Sequence, residues 1–507
     1  MSLPSKVGLP NEMVLGHLDS SLPPDARSFS VKVQPSNISS VSATITTRPS
    51  VTNTVNTVGD IAFPVQNIIF DLPCGASPSM FLDNRFTTLN FTATLTMNTQ
   101  PTTFSTYTSC VLRGSANSFF DRMFITGQDG QILEDIGEFG LINDTLIALQ
   151  MNSAVRHGVA TQYGFNTNVI YEDGSSADAA IAQGSQGHKF GVGQGGANVG
   201  STELHSYSVP LLSGIVGCTA DKFLNIGRTS KLQVNLQTSN ICPLTFFRAA
   251  GPFTPAPEVA GVYTLTLSNF SLQCEYVDIG HSALSMLDDT LENGKAYMHG
   301  TTYRTSSVTL PSTSGATSLL AGIRASSVKS LFARFSQGGS AGVFGPMNGK
   351  YDSPNPILNG INYNVGGVKY PQTPINPLLQ PSQAFRETQM AVGSFNSSQF
   401  QSCVSPVNYC KLSAGGSAQG FTNSATQEMN WSLGSSSLAQ QQFIFGECME
   451  VCARRGLLSG LNCTTAPIFL EMNLASAPDN SHTCYVQAML DHVVIHNVKD
   501  GSISVRI

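Results

Sequence analysis

Charge is scarce in this chain. Only 11% of its 507 residues are Asp, Glu, Lys or Arg, and Trp431 is its one tryptophan. A formal net charge of −6 gives no general attraction to nucleic-acid phosphates, which would need a clustered basic face. The first thirty residues carry only Lys6 and Arg27 as bases, so no basic arm is expected there. No window approaches the roughly eighteen consecutive apolar residues of a membrane span. Residues 1–30 also lack the basic start and apolar run of a secretory signal, so a soluble chain made in the cytosol is expected.

Catalytic and metal signatures are equally sparse. There is no HExxH and no Walker-type GK[ST]. His492 and His496 share one face of a strand without an acidic partner at metal-ligand spacing, which favours ordinary surface or interface histidines. Cys448 and Cys452, like Cys403 and Cys410, miss the CxxC spacing, and the eleven cysteines sit mostly in apolar strand patterns as expected free thiols. Asp288 and Asp289 read as the solvated face of a helix. The expectation is a non-enzyme with no catalytic residue, no metal and no cofactor.

What the chain does have is strand grammar. With 46 glycines, 26 prolines and long Ser, Thr, Asn and Gln tracts, it favours many short strands joined by polar turns. Leu89, Phe91, Ala93, Leu95 and Met97 fill one face of a strand, and Leu232, Val234 and Leu236 fill another. Phe63–Leu72 starts the structure proper, after an N-terminal arm of residues 1–60 that has no sustained period. Asp129-Gly130 marks a turn, and Phe139, Ile142, Leu146 and Leu149 recur at helical spacing behind it. Residues 170–201, dominated by Gly, Ala, Ser and Gln, read as a large surface loop.

A seam follows. Tyr263, Leu265 and Leu267, then Phe270, Leu272, Cys274 and Tyr276, alternate as a half-buried strand. Leu284, Leu287 and Leu291 then recur as a short amphipathic helix, after which strand patterns resume. Strands are read at Ser306–Leu310, Ser326–Phe335, Gln442–Cys452, Ala466–Leu474, Thr483–Ile495 and Ser502–Ile507, with a loop-rich region at Ser336–Pro381 and a helix at Ser382–Val392. Strand, loop and helix follow in the same order in both halves, although residue identity between them is negligible. The chain therefore divides into the arm 1–60, a first β-domain 61–280, a linker helix 281–296 and a second β-domain 297–507.

Four stretches carry a resemblance: SNFSLQCEYVDIGHSALSMLDDTL, RASSVKSLFARF, INYNVGGVKYPQTPIN with the following QAFRETQ, and PIFLEMNL with VQAMLDHVVIHNVKDGSISVRI. In these the chain resembles the double jelly-roll major capsid proteins of tailless icosahedral double-stranded DNA viruses, above all those of polinton-like viruses and virophages. The resemblance implies an all-β fold of two consecutive eight-stranded antiparallel jelly rolls with short helices in loops. It implies a homotrimer forming a pseudo-hexameric capsomer that tiles an icosahedral shell beside neighbouring capsomers, penton and minor capsid proteins, in a virion assembled from chains made in the host cytoplasm. It leaves contact with an internal membrane open. Arg324, Lys329, Arg334, Asp491 and Arg506 are candidate interface charges. The rival reading is a secreted β-sandwich that binds or cleaves glycans, which would need a signal peptide and an aromatic-lined cleft. An RNA-virus capsid protein would bring the basic arm this chain lacks.

Overall fold

The computed structural model describes residues 26–46, 63–99, 108–112, 114–152, 155, 158–164, 189–190, 200, 202–240, 243–248, 262–289, 291, 293–311, 313–337, 350–351, 353–395, 402–404, 409, 442–450, 459–477 and 482–507. The first half holds β1 (Arg27–Val33), β2 (Ser40–Thr46), β3 (Asn67–Asp71), β4 (Met80–Thr99), β5 (Thr108–Leu112), β6 (Phe120–Thr126), β7 (Ile132–Gly137), α1 (Phe139–Gln150), α2 (Ala160–Tyr163), β8 (Lys189–Phe190), β9 (Thr202–Pro210), β10 (Gln233–Thr238), β11 (Leu244–Arg248) and β12 (Val262–Asp278). Helix α3 (Gly280–Asp288) leads into the second half. There follow β13 (Lys295–Leu310), β14 (Gly315–Ala321), β15 (Val328–Gln337), β16 (Leu358–Val365), β17 (Val368–Ile375), α4 (Pro381–Ala391), β18 (Ile444–Cys448), β19 (Ile468–Leu474), β20 (His482–Asn497) and β21 (Ser502–Arg506).

The strand orders of the two halves are the same. In the second half the sheets run β13-β20-β15-β18 and β14-β19-β16-β17, so the first strand pairs with the eighth, the eighth with the third, and the third with the sixth. The first half gives β1-β12-β4-β9 with β2 also on β12, and β3-β10-β6-β7. If β1 and β2 count as one interrupted strand, and the small β11-β5-β8 sheet and the added strand β21 on β20 are set aside, this is the identical permutation. Every pairing within these sheets is antiparallel. Two facing four-stranded layers wound in this order are a jelly roll, and the chain carries two in series. Each also places a longer helix, α1 or α4, between its fifth and sixth strands, the first roll adding the short α2 after it.

The two cores are filled differently. Phe91 in the first roll meets Phe119 and Phe120 edge-on at 5.9 and 5.3 Å, with Tyr207 and Phe270 also against it. The second roll stacks Tyr363 on Phe445 and Phe335 on Phe443. One strand order thus tolerates different packing, provided each strand presents alternate apolar residues inward. In β12 that alternation changes phase between Leu267 and Phe270, and both remain buried because a bulge lies between them. Asn269 sits there at φ 55, in the left-handed region that a bulge residue often needs.

Three sequence readings are corrected. Residues 27–46, read as part of the arm, form β1 and β2 along β12, with Ile45 fully buried. Ser and Thr at every second position hid their strand character. The region Ser336–Pro381, read as loop, contains the β16–β17 hairpin; Gly366 and Gly367, at φ 59 and 94, form its two-residue turn. Helix α3 ends at Asp288, so Leu291 lies beyond it; Leu284 is buried, whereas Leu287 and Met286 are exposed. The bulk of loop 170–201 lies outside the described residues.

Candidate functional site at the seam between the rolls

Helix α1 is buried on every side, including the polar residues Asn143, Asp144 and Thr145. A helix of the first roll reaches that state only by being covered from both sides, and the second cover is the outer face of β15. Strand β15 turns Leu331, Ala333 and Phe335 into its own roll and Phe332 and Arg334 towards α1. Ala148 and Leu149 pack there with Phe332, Ala391, Val392 and Ile444, so the equivalent helices of both rolls share one apolar cluster. Beyond it, the Ser402 hydroxyl and the Cys403 amide donate to the Ala148 carbonyl near the end of α1.

Two buried cations pin this contact. The Arg334 guanidinium lies 2.8 Å from the Asp144 carboxylate and donates to Thr145 Oγ1 at 3.0 Å and to the Tyr351 carbonyl at 2.6 Å. Lys350 pairs with Asp121 at 2.6 Å and with Glu138. Burial works against the Lys350 charge, but Tyr351, Glu138 and Asp121 outweigh it and hold the ammonium above its ordinary value. Burial pushes the Glu138 carboxyl up, with Lys350 opposing. The Tyr351 hydroxyl crosses to the Ser118 carbonyl at 3.1 Å, over Gly140, where a Cβ would fall 2.7 Å from that hydroxyl.

A second contact seals a sheet edge. Strand β13 is an outer strand of its sheet, and the first-roll loop after β9 pairs with it. The Thr301 amide donates to the Thr219 carbonyl, the Asp221 amide to the His299 carbonyl, and the His299 amide to the Asp221 carboxylate at 2.8 Å. At the base, Arg228 grips Asp288 of α3 through two bonds of 2.6 and 2.7 Å, and Ser230 bonds the Gly501 carbonyl. Asp288, expected on a solvated face, is therefore a tether.

Of the candidate interface charges, Arg334 is part of the seam. Lys329 and Asp491 come together at 3.5 Å on the second roll, with Glu450 at 3.3 Å from the same ammonium, while Arg324 and Arg506 stay exposed. His492 and His496 are buried, at 1% and 3% exposure, where β20 meets the first roll. The sequence reading named none of Asp144, Lys350, Glu138 or Glu134. A strand or helix period assigns a residue to a face without saying which partner covers it.

The seam also gathers Ser213, Glu134 and His492, but not as a nucleophile and its base. Ser213 donates directly to Glu134 at 2.5 Å, the Gly214 amide holds the other oxygen at 3.0 Å, and all three side chains are sealed from solvent. Among the described residues no group of three or more His, Cys, Asp or Glu is placed to hold a metal ion, and no helix is long and apolar enough to cross a membrane. The described free cysteines include Cys274, Cys463 and Cys484, all buried.

No protein-family model and no curated protein matches the chain. Solved structures do. A chain of the Sputnik virophage is 11% identical and superposes at a TM-score of 0.50, over 98% of this chain and 92% of that one. The Faustovirus major capsid protein is 10% identical at 0.49, over 95% and 92%, and the mavirus major capsid protein is 11% identical at 0.46, over 100% and 95%. The Sputnik likeness extends over nearly the whole length of both chains and shows a shared double jelly-roll fold.

Proposed function

We propose that the chain is a viral major capsid protein that self-assembles into homotrimeric, pseudo-hexameric capsomers tiling an icosahedral shell. One observation carries this reading: the same eight-strand permutation occurs twice in one chain, and a buried polar seam fixes the two copies against each other. A rigid block with two similar lobes gives six lobes when three copies meet around a three-fold axis. Six similar lobes fit a hexagonal lattice although the symmetry is only three-fold. The near full-length likeness to a virophage chain supports the same reading, and no geometry in the described residues favours the glycan alternative.

In this reading the chain divides into a first roll within 61–280, extended by the strands of 27–46, a linker at 281–296 and a second roll at 297–507. Its partners are two further copies, then neighbouring capsomers, penton and minor capsid proteins, and its place is the virion. Assembly rather than turnover is its work: burial of apolar surface between chains drives trimer formation, and weaker polar contacts between trimers permit correction before closure. Light scattering on the purified chain tests the first step. Three copies of 53.8 kDa predict about 161 kDa, and a stable 53.8 kDa monomer at all concentrations would overturn the proposal.

A further inference from the structure

Two imidazoles sit where the rolls meet. His492 and His496 lie four residues apart on β20, on one face, and point into first-roll loops. The His492 ring fits between glycine backbones from two directions. A Cβ on Gly214 would fall 1.9 Å from its Cε1, and one on Gly300 would fall 2.7 Å from the same atom. Neither ring nitrogen of His492 makes a well-formed hydrogen bond, and neither does Nε2 of His496. Polar contact with the rings is thus confined to the backbone, Gly300 beside His492 and Arg228 beside His496, and is too slight to hold a charged ring.

The surrounding charges are already committed. From β7, Glu134 faces His492 with its two oxygens taken by Ser213 and Gly214. From the loop, Asp221 is bound by the His299 amide; from β20 itself, Asp491 accepts from Ser327 at 2.8 Å and faces Lys329. Tyr303 of β13 is buried beside Glu134, and Cys218 is exposed on the same loop. Around His496, the Arg228 guanidinium is a like charge spent on Asp288, and Asp500 is bound by Asn497 and Ser502. A proton added to either ring would make a buried cation whose neighbouring carboxylates already accept other hydrogen bonds, so their attraction only partly offsets the cost of burying the charge.

We propose that His492 and His496 form an acid-sensitive latch, closed while both rings are neutral and opened between β20 and the first-roll loops when they are protonated. Burial pushes both imidazoles below their ordinary 6.5, in keeping with that geometry. The open seam lets them titrate freely, so below pH 6.5 the open fraction grows by roughly tenfold per pH unit for each ring, until the closed-state values are reached. The latch belongs to the single chain and does not rest on the capsid reading.

The test uses the intact protein between pH 8 and 4.5. Deuterium exchange at the imidazole C2 position titrates each histidine without substitution, and amide exchange reports the loop 213–221 against the core strands β4 and β12. The expected result is C2 midpoints below 6.5 for both rings and a reversible rise of about tenfold or more in loop exchange between pH 7 and 5.5, beyond the chemical rate, with the core still protected. His496→Gln, and His492→Gln if it folds, should flatten that rise. Midpoints at or above 6.5, or loop exchange that follows the chemical rate alone, would overturn the latch. Neither outcome depends on whether the chain forms trimers.

Discussion

Arg334 in the second roll and Asp144 in the first form an ion pair of 2.8 Å with side-chain exposures of 2% and 4%. Such a pair gives little net stability against an apolar substitute, but it is costly to break on one side. Arg334→Met strands a buried carboxylate and should destabilise the chain by about 3 to 5 kcal/mol in denaturant unfolding. Arg334→Met with Asp144→Leu should recover most of that loss. A single variant within 1 kcal/mol of the parent would show that the seam is hydrated.

Lys350 offers a graded comparison. Its own side chain is 7% exposed, but Asp121 and Glu138 are 23% and 28% exposed and can regain water when the cation is removed. Lys350→Met should therefore cost less than Arg334→Met, about 1 to 3 kcal/mol by the same measurement. The reverse ranking would contradict the assignment of Arg334 as the main polar anchor.

Glu447, on β18, has no cationic partner among its resolved contacts, and burial followed by the neighbouring Glu387 raises its carboxyl from 4.5 to about 8. The folded chain thus prefers the protonated acid. Between pH 4.5 and about 8 the unfolded chain releases that proton while the folded chain keeps it, so stability falls across this window and levels off above it. Subtracting the pH profile of Glu447→Gln from that of the parent should isolate the decline. Parallel profiles would refute the buried-acid assignment.

Gly214→Ala tests the closeness of the seam. The added methyl would lie 1.9 Å from the His492 ring, so ring or loop must move, at a cost of about 1 to 3 kcal/mol or more. The same change at Gly130, where a Cβ meets nothing within 4 Å, shares no such clash and tests only the φ of 74. Amide exchange should accelerate at 213–221 in the first variant alone.

Much of this fold was legible as period. The strands read at 87–97, 231–238, 466–474 and 483–495 correspond to β4, β10, β19 and β20, and the helical spacings at 139–149 and 382–392 to α1 and α4. The β16–β17 hairpin is masked in the sequence although Ile361, Tyr363 and Val365 alternate before Gly366-Gly367, because the surrounding prolines and glycines carry a loop signal. The seam was less legible. Ser330, Phe332 and Arg334 alternate with Leu331, Ala333 and Phe335 on β15, so the strand is buried on both faces. A large aromatic on the outward face was the one available hint. Asp144, on what period alone makes the solvated side of α1, gave none.

Negative-stain images of the purified assembly address the central claim most directly. Three copies of a two-roll block should give a particle with three-fold symmetry, six similar lobes and a hexagonal outline, alone or in sheets and shells. Particles with two lobes, or assemblies built on a two-fold axis alone, would contradict the account.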